Sequence, residues 1–192
     1  MALSKSSSRE RGSEYVYCTW THKELLPPAL KGKFRDLDHF VRELSASAEA
    51  RLLIVMPYLS PDGMKALKGV LAAAAQKGVW IRLLTGDLAD ARGRNRRALR
   101  ELIAGPDGAV VRQRLRVLVG SETLPVCFHA KLVIADGKRG YLGSANLSWR
   151  GLSKNFEVGA SLSPIQADSL ERLVSYFEAQ GMIVDHTEAA LT

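Results

Sequence analysis

Cysteine is nearly absent: Cys18 and Cys127 are the only two in 192 residues, too few for a disulfide framework or a zinc quartet. No apolar run approaches the roughly 20 residues of a membrane helix. The amino terminus, residues 1–13, is Ser-rich and charged but has no apolar core, so no secretory signal is read there and a disordered tail is expected. Carboxylates and Cys/His side chains do not gather at ligand spacing, so no metal and no cofactor are expected. These absences leave the cytoplasm as the expected compartment. What remains is an ordinary globular composition, 46% hydrophobic and 24% charged. It shows no repeat and no linker, so residues 14–192 read as one domain.

Acids are also scarce, 20 against 27 Lys and Arg, for a net charge of +7. The imbalance is local. Arg92, Arg94, Arg96, Arg97, Arg100, Arg112, Arg114 and Arg116 face only Glu101 and Asp107, so this stretch holds +6 of the +7. Such a strip reads either as a solvated face or as a track for a polyanion such as nucleic acid.

Hydropathy periodicity predicts a helix over Phe34–Ser47 and a buried strand over Leu52–Tyr58. Ser60-Pro61-Asp62 supplies an N-cap, a first-turn proline and a first-turn acid for a helix that Gly78 stops. Val79–Leu84 is a second strand, which completes a βαβ unit with parallel strands. A short strand over Glu14–Thr21 and a helix over Asp90–Ala104 are also expected, the latter ended by Gly105-Pro106-Asp107-Gly108. Further strands are predicted at Leu115–Val119, Val126–Ala135, Gly140–Leu142 and Phe156–Leu162, with an Asp136-Gly137 turn between the second and third. Ser163-Pro164-Ile165-Gln166 forms a capping box for a last helix with Leu170, Leu173, Val174 and Phe177 inward, ended by Gly181. The fold class is α/β, a mixed and partly parallel sheet flanked by helices.

Chemistry concentrates between His129 and Glu157. On a strand, Cys127, His129 and Lys131 share one face. Cys127 is read as a small buried hydrophobe. Two potentially cationic groups side by side cost energy unless an anion joins them, and a phosphate is the natural partner. Gly143-Ser144-Ala145-Asn146 then precedes a short helix expected over Leu147–Leu152. Gly143 permits close backbone approach, Ser144 and Asn146 add donors, and Asn146 also serves as an N-cap.

Together these residues spell His-x-Lys-x4-Asp (His129, Lys131, Asp136), six residues, then Gly143-Ser144-x-Asn146. In this the chain resembles the phospholipase D superfamily, with Asn155-Phe156-Glu157 similar to the family's supporting acid. The resemblance implies a metal-independent phosphodiesterase that works in two steps. His129 attacks phosphorus and a second histidine protonates the leaving oxygen. Lys131, Asn146 and Ser144, with Gly143, hold the phosphate oxygens, while Glu157 orients the imidazole. Asp136 points off the histidine's face, so it takes a supporting place rather than proton transfer.

The remaining histidines, His22, His39 and His186, begin no second motif, so the chain is similar to single-motif members in which two copies each give one histidine. A homodimer is therefore expected. Trp149, three residues past Asn146, is kept as a candidate substrate contact. Three substrate readings stand: a nuclease acting on DNA or RNA, a lipid phosphodiesterase, and a non-catalytic nucleic-acid-binding subunit. The first is favoured by the arginine strip. The overall pattern also resembles the phospholipase D-like proteins of DISARM-type antiphage systems, which implies other defence proteins as partners.

Overall fold

In the computed structural model, residues 16–19, 27–30, 32–86, 88, 93–123 and 127–192 are described. The expected 1–13 tail, the ends of the Glu14–Thr21 strand, His22 and Arg92 lie outside them. The chain opens with β1 (Val16–Thr19), a two-residue β2 (Arg35–Asp36) and α1 (Leu37–Ala46). Asp36 starts α1 by accepting from the His39 amide, which sets the helix three residues later than its periodicity alone suggests. Then come β3 (Arg51–Met56), α2 (Pro61–Gln76) and β4 (Trp80–Thr85), the expected βαβ unit, with Ser60 capping α2 through the Gly63 amide.

Next are α3 (Arg94–Ile103), α4 (Gly105–Arg112), β5 (Leu115–Gly120) and β6 (Leu132–Ala135). β7 (Arg139–Gly143), α5 (Trp149–Ser153) and β8 (Glu157–Leu162) lead to α6 (Pro164–Ala179), where the capping box of Ser163 and Gln166 is formed. β9 (Ile183–Asp185) and α7 (Thr187–Leu191) close the chain and were not foreseen; each is too short to show a period.

Among the described residues, nine strands join one sheet in the order β2-β1-β8-β7-β6-β3-β4-β5-β9. The pairs β3–β4 and β4–β5 are parallel, whereas β6, β7, β8 and β9 add antiparallel ladders. The run Arg51–Met56 feeds both faces. Leu52, Ile54 and Met56 enter a core shared with α1, α2, α3, α4, α5 and α7, while Leu53 and Val55 pack under α6. Burying each such side chain contributes about 1.5–3 kcal/mol, so a strand apolar on every position is a sheet centre.

Several expectations shift for local reasons. The Gly105-Pro106-Asp107 segment does end α3, but it also starts α4: Gly105 breaks the helix with a φ of +73°, and Pro106 and Asp107 suit a new first turn. Residues 127–131 are not in the ladder. Their neighbour β3 ends at Met56, and Pro57 has no N–H to extend it. His129 and Lys131 therefore lie just ahead of a strand rather than within one. Ser148, not Asn146, caps α5, accepting from the Gly151 amide. Leu173 faces outward on α6 and is 45% exposed.

The β6–β7 turn shows how sequence sets the frame. Asp136 and Gly137 both have positive φ, 55° and 68°, at the centre of a turn that the Lys138 N–H closes on the Ala135 carbonyl at 2.9 Å, within a three-residue hairpin loop between Ala135 and Arg139. The Asp136 carboxylate accepts from the backbone N–H groups of Glu49, Ala50 and Arg51, each at 2.9 Å. It thereby fastens the hairpin to the start of β3. Arg51 ties the same corner to α6 through Glu171 at 2.6 Å. Burial opposes ionisation of Asp136, but the amides of Arg51, Glu49 and Ala50 outweigh it and hold the carboxyl below its ordinary value.

Candidate active site

The carboxyl ends of β1, β3, β4, β5 and β7 meet the amino ends of β6 and β8 along one edge of the sheet. His129, Lys131, Ser144, Asn146 and Glu157 all fall on this edge. Edges of this kind, where strand ends and loops converge, are where open α/β sheets carry ligands.

His129 is exposed, whereas Lys131 beside it is only 8% exposed. The Lys131 ammonium stands 2.9 Å from His129 Nδ1, 3.5 Å from Nε2, and donates to the His129 carbonyl oxygen at 2.9 Å. Burial lowers the lysine's pKa, opposed by the charges of Glu157 and Cys127. The side chain is thus kept at a cost to the native state near neutral pH. Replacing Lys131 by Met is expected to raise stability at pH 7, with the gain shrinking as pH climbs toward the ordinary lysine pKa. Denaturant titrations at several pH values check this.

Glu157 does not reach His129 within the chain. Its Oε2 accepts from Ser144 Oγ at 2.5 Å and its Oε1 from the Asn155 amide at 3.0 Å. Within the chain it fixes the Ser144 hydroxyl and places negative charge near Lys131. Asn146 presents a buried side-chain oxygen that has no hydrogen-bond partner among the described residues. An orphaned acceptor in a binding edge is an open position for a donor.

Glycines set this loop's shape. A Cβ at Gly143 would lie 2.1 Å from the Tyr141 hydroxyl oxygen, and one at Gly159 2.1 Å from the Tyr141 ring. Gly143, expected to make room for a ligand, instead makes room for Tyr141. That buried phenol contacts the Ala145 amide, and its pKa is pushed up to about 12 by burial. Gly63 in the first turn of α2 and Gly151 in α5 do the same for the loop itself, since a Cβ at either would lie 2.3 Å from the carbonyl of Leu147 or Asn146. Both position Asn146 and both escaped sequence reading. A glycine in a helix's first turn was the available signal at Gly63. Asn95 was likewise missed: its amide accepts from Leu59 N–H and donates to the Pro57 carbonyl, clamping the loop that carries Tyr58.

Other candidates disperse. Cys127 is exposed, contrary to the expected burial. Asp136 sits at the far end of β6, so its supporting role is exerted on the scaffold and not on the histidine. Of the arginines, Arg94 and Arg97 lie in the first turns of α3, beside the Pro57–Leu59 loop, with Arg100 a turn further on; all three are exposed. Arg96 donates to the Ala189 carbonyl. Arg112 and Arg114 precede β5 at the opposite edge, and Arg114 covers the Trp80 ring at 4.8 Å. Arg116 pairs with Glu178 and Asp185, both at 2.9 Å. The structure does not assemble one strip.

Among the described residues, no three His, Cys, Asp or Glu side chains group as metal ligands would, and no helix is long and apolar enough to cross a membrane. Residues 41–180 match the family described as "Cardiolipin synthase, PLD-like domain". The chain is 28% identical over 162 residues to cardiolipin synthase 2 of Bacillus cereus, covering 83% of this chain but 29% of that protein. It therefore spans less than a third of that relative's length. Two solved structures share the fold. Nuc from Salmonella typhimurium, a phospholipase D family member, has a TM-score of 0.56 at 19% identity, covering 91% of this chain and 97% of that one. NucT from Helicobacter pylori has a TM-score of 0.58 at 14% identity, covering 90% and 98%. The motif edge lies inside a match that runs through most of the chain, and on that ground this protein belongs to the PLD-like domain family.

Proposed function

We propose that the chain is a phosphodiesterase whose covalent nucleophile is His129 and whose favoured substrate is nucleic acid. The observation that carries the chemistry is the buried Lys131 ammonium held against an exposed imidazole, with the Ser144 and Asn146 side chains on the same edge. A cationic group beside an imidazole, with amide and hydroxyl side chains on the same edge, suits a phosphate. Attack needs a ring nitrogen with a free lone pair: with the ammonium drawn onto a bound phosphate and the ring proton on Nδ1, the Nε2 lone pair is the nucleophile.

The first step forms an N–P bond and breaks a P–O ester bond, with the leaving oxygen taking a proton from a second histidine. Water then attacks phosphorus, giving its proton to that second histidine as the N–P bond breaks. Lys131 and the Asn146 amide hold the non-bridging oxygens in both steps, and Ser144 joins them when its hydroxyl turns away from Glu157.

The second histidine comes from another copy of the chain. Supporting a homodimer, Val16, Leu142 and Val158 are 43%, 44% and 40% exposed on the face of β1, β8 and β7 that α6 packs against only toward the Leu162 end. This apolar row runs to the site edge, so a second copy seated on it would bring two sites together. Changing Val158 to Glu should give a monomer in sedimentation with turnover lost; a fully active monomer would refute the shared site.

Nucleic acid is favoured by the exposed arginines at the start of α3. Changing Arg94 or Arg97 to Ala should each lower the slope of log affinity against log salt by about 1, and Arg112→Ala should not change it. The lipid reading has its own support in the relative named for cardiolipin synthesis. Hydrolysis of DNA, RNA and phosphatidylglycerol vesicles in EDTA separates the two. Turnover of vesicles alone would replace the nucleic-acid reading, and a strict divalent-metal requirement would contradict the mechanism.

A further inference from the structure

Tyr58 is 58% exposed, yet the backbone on both sides of it is fixed: Asn95 donates to the Pro57 carbonyl at 3.0 Å and accepts from the Leu59 amide at 2.9 Å. The ring stands edge-on to the His129 imidazole, with centroids 5.9 Å apart. Trp149 is 53% exposed in the first turn of α5, three residues past Asn146, with the Lys154 ammonium 5.9 Å from its ring centroid. Single exposed aromatics are common on protein surfaces and need no explanation. A pair is different when one member is clamped at the nucleophile and the other opens the helix after the phosphate-holding loop.

We infer that Tyr58 and Trp149 are stacking platforms for the nucleobases on either side of the scissile phosphate, so that the site selects an unpaired strand. The inference rests on the nucleic-acid reading above and names its substrate class. A flat ring left open to solvent offers its face to any base, and stacking of this kind tolerates every sequence. Bases in a duplex are already stacked on their neighbours, and engaging these rings would require unstacking them. The Lys154 ammonium over Trp149 adds a cation beside the ring, at a place where a strand's backbone would pass.

The test uses single strands of about 16 nucleotides, as DNA and as RNA. It also uses the same strands with abasic residues flanking the cleaved bond, the matching duplexes, and phosphatidylglycerol vesicles. For the wild type, kcat/KM on the intact single strand should exceed that on the abasic strand and the duplex by about tenfold or more. Trp149→Ala should lose about tenfold on the intact strand and nothing on the abasic one. Tyr58→Phe, which keeps the ring, should match the wild type, and Tyr58→Ala should behave as Trp149→Ala does. Equal cleavage of duplex and single strand, or equal losses on intact and abasic strands, would overturn the stacking role while leaving the nucleic-acid reading intact. Turnover of vesicles with no cleavage of any oligonucleotide would overturn both.

Discussion

Replacing His129 with Ala is expected to lower turnover of any phosphodiester by at least about four orders of magnitude, on the order of 5 kcal/mol of transition-state stabilisation. No other described group can take its place. Lys131 is held as a cation donor, Cys127 is two residues away on an irregular segment, and Glu157 is occupied by Ser144 and Asn155. His129 is exposed, with its ring against the Lys131 ammonium and edge-on to Tyr58. The variant should therefore fold with stability within about 0.5 kcal/mol of the wild type. Circular dichroism and thermal unfolding would confirm the fold while a steady-state assay reads the loss. Retained turnover in a folded His129→Ala protein would exclude covalent catalysis by this residue.

Replacing Asp136 has the opposite signature. Asp136→Ala removes a carboxylate that satisfies three backbone amides, and hydrogen bonds to charged groups are worth about 1.5–3 kcal/mol each. It also puts Ala at a φ of 55°, a conformation that costs an L-residue about 1–2 kcal/mol. Allowing for non-additivity, the loss should be about 3 kcal/mol, or roughly 6–12 °C in thermal midpoint for a chain of this size.

Asp136→Gly separates the two causes, since it loses the acceptor and keeps the backbone conformation. The carboxyl is held below its ordinary value in the folded state, so its contribution is complete above the unfolded pKa of about 3.9. The contribution is lost as pH falls through the folded value, and the gap between wild type and Asp136→Asn should narrow there. Below the midpoint, turnover per folded molecule should stay within about twofold, because Asp136 lies at the other end of β6 from His129. A stable but inactive Asp136→Ala protein would return the residue to the catalytic machinery.

The contrast between these two residues shows what the sequence could carry. His129 and Lys131 are two apart and Ser144 and Asn146 two apart, so their grouping is local and readable once the motif is seen. Asp136 belongs to the same motif, yet its partners lie 85 to 87 residues earlier, and no pattern near it names them. Gly143 was readable as a glycine but not as the space for a tyrosine two residues before it on the same strand face. Asn95 is buried in a helix rich in arginine, and only the folded chain shows it closing on the loop after β3.

The arginines mislead for a related reason. They cluster in sequence, but α3 leaves the site edge and α4 brings the chain to the opposite edge before β5, so the cluster is divided in space. The central βαβ unit was legible because its strands are apolar on both faces and its helix carries its own cap. The ends of the chain were not, since β9 and α7 are three and five residues long and depend on β5 for their place.

The central claim is that His129 becomes covalently bound to phosphorus during turnover. Rapid mixing with a phosphodiester, an alkaline quench and peptide mass spectrometry test it directly, because phosphoramidate bonds to histidine survive base. The account predicts a phosphoryl adduct on His129 that forms during turnover, decays with product release and is absent from His129→Asn. Substrate consumed at the wild-type rate with no adduct on His129, or an adduct on another residue that persists in His129→Asn, would contradict it.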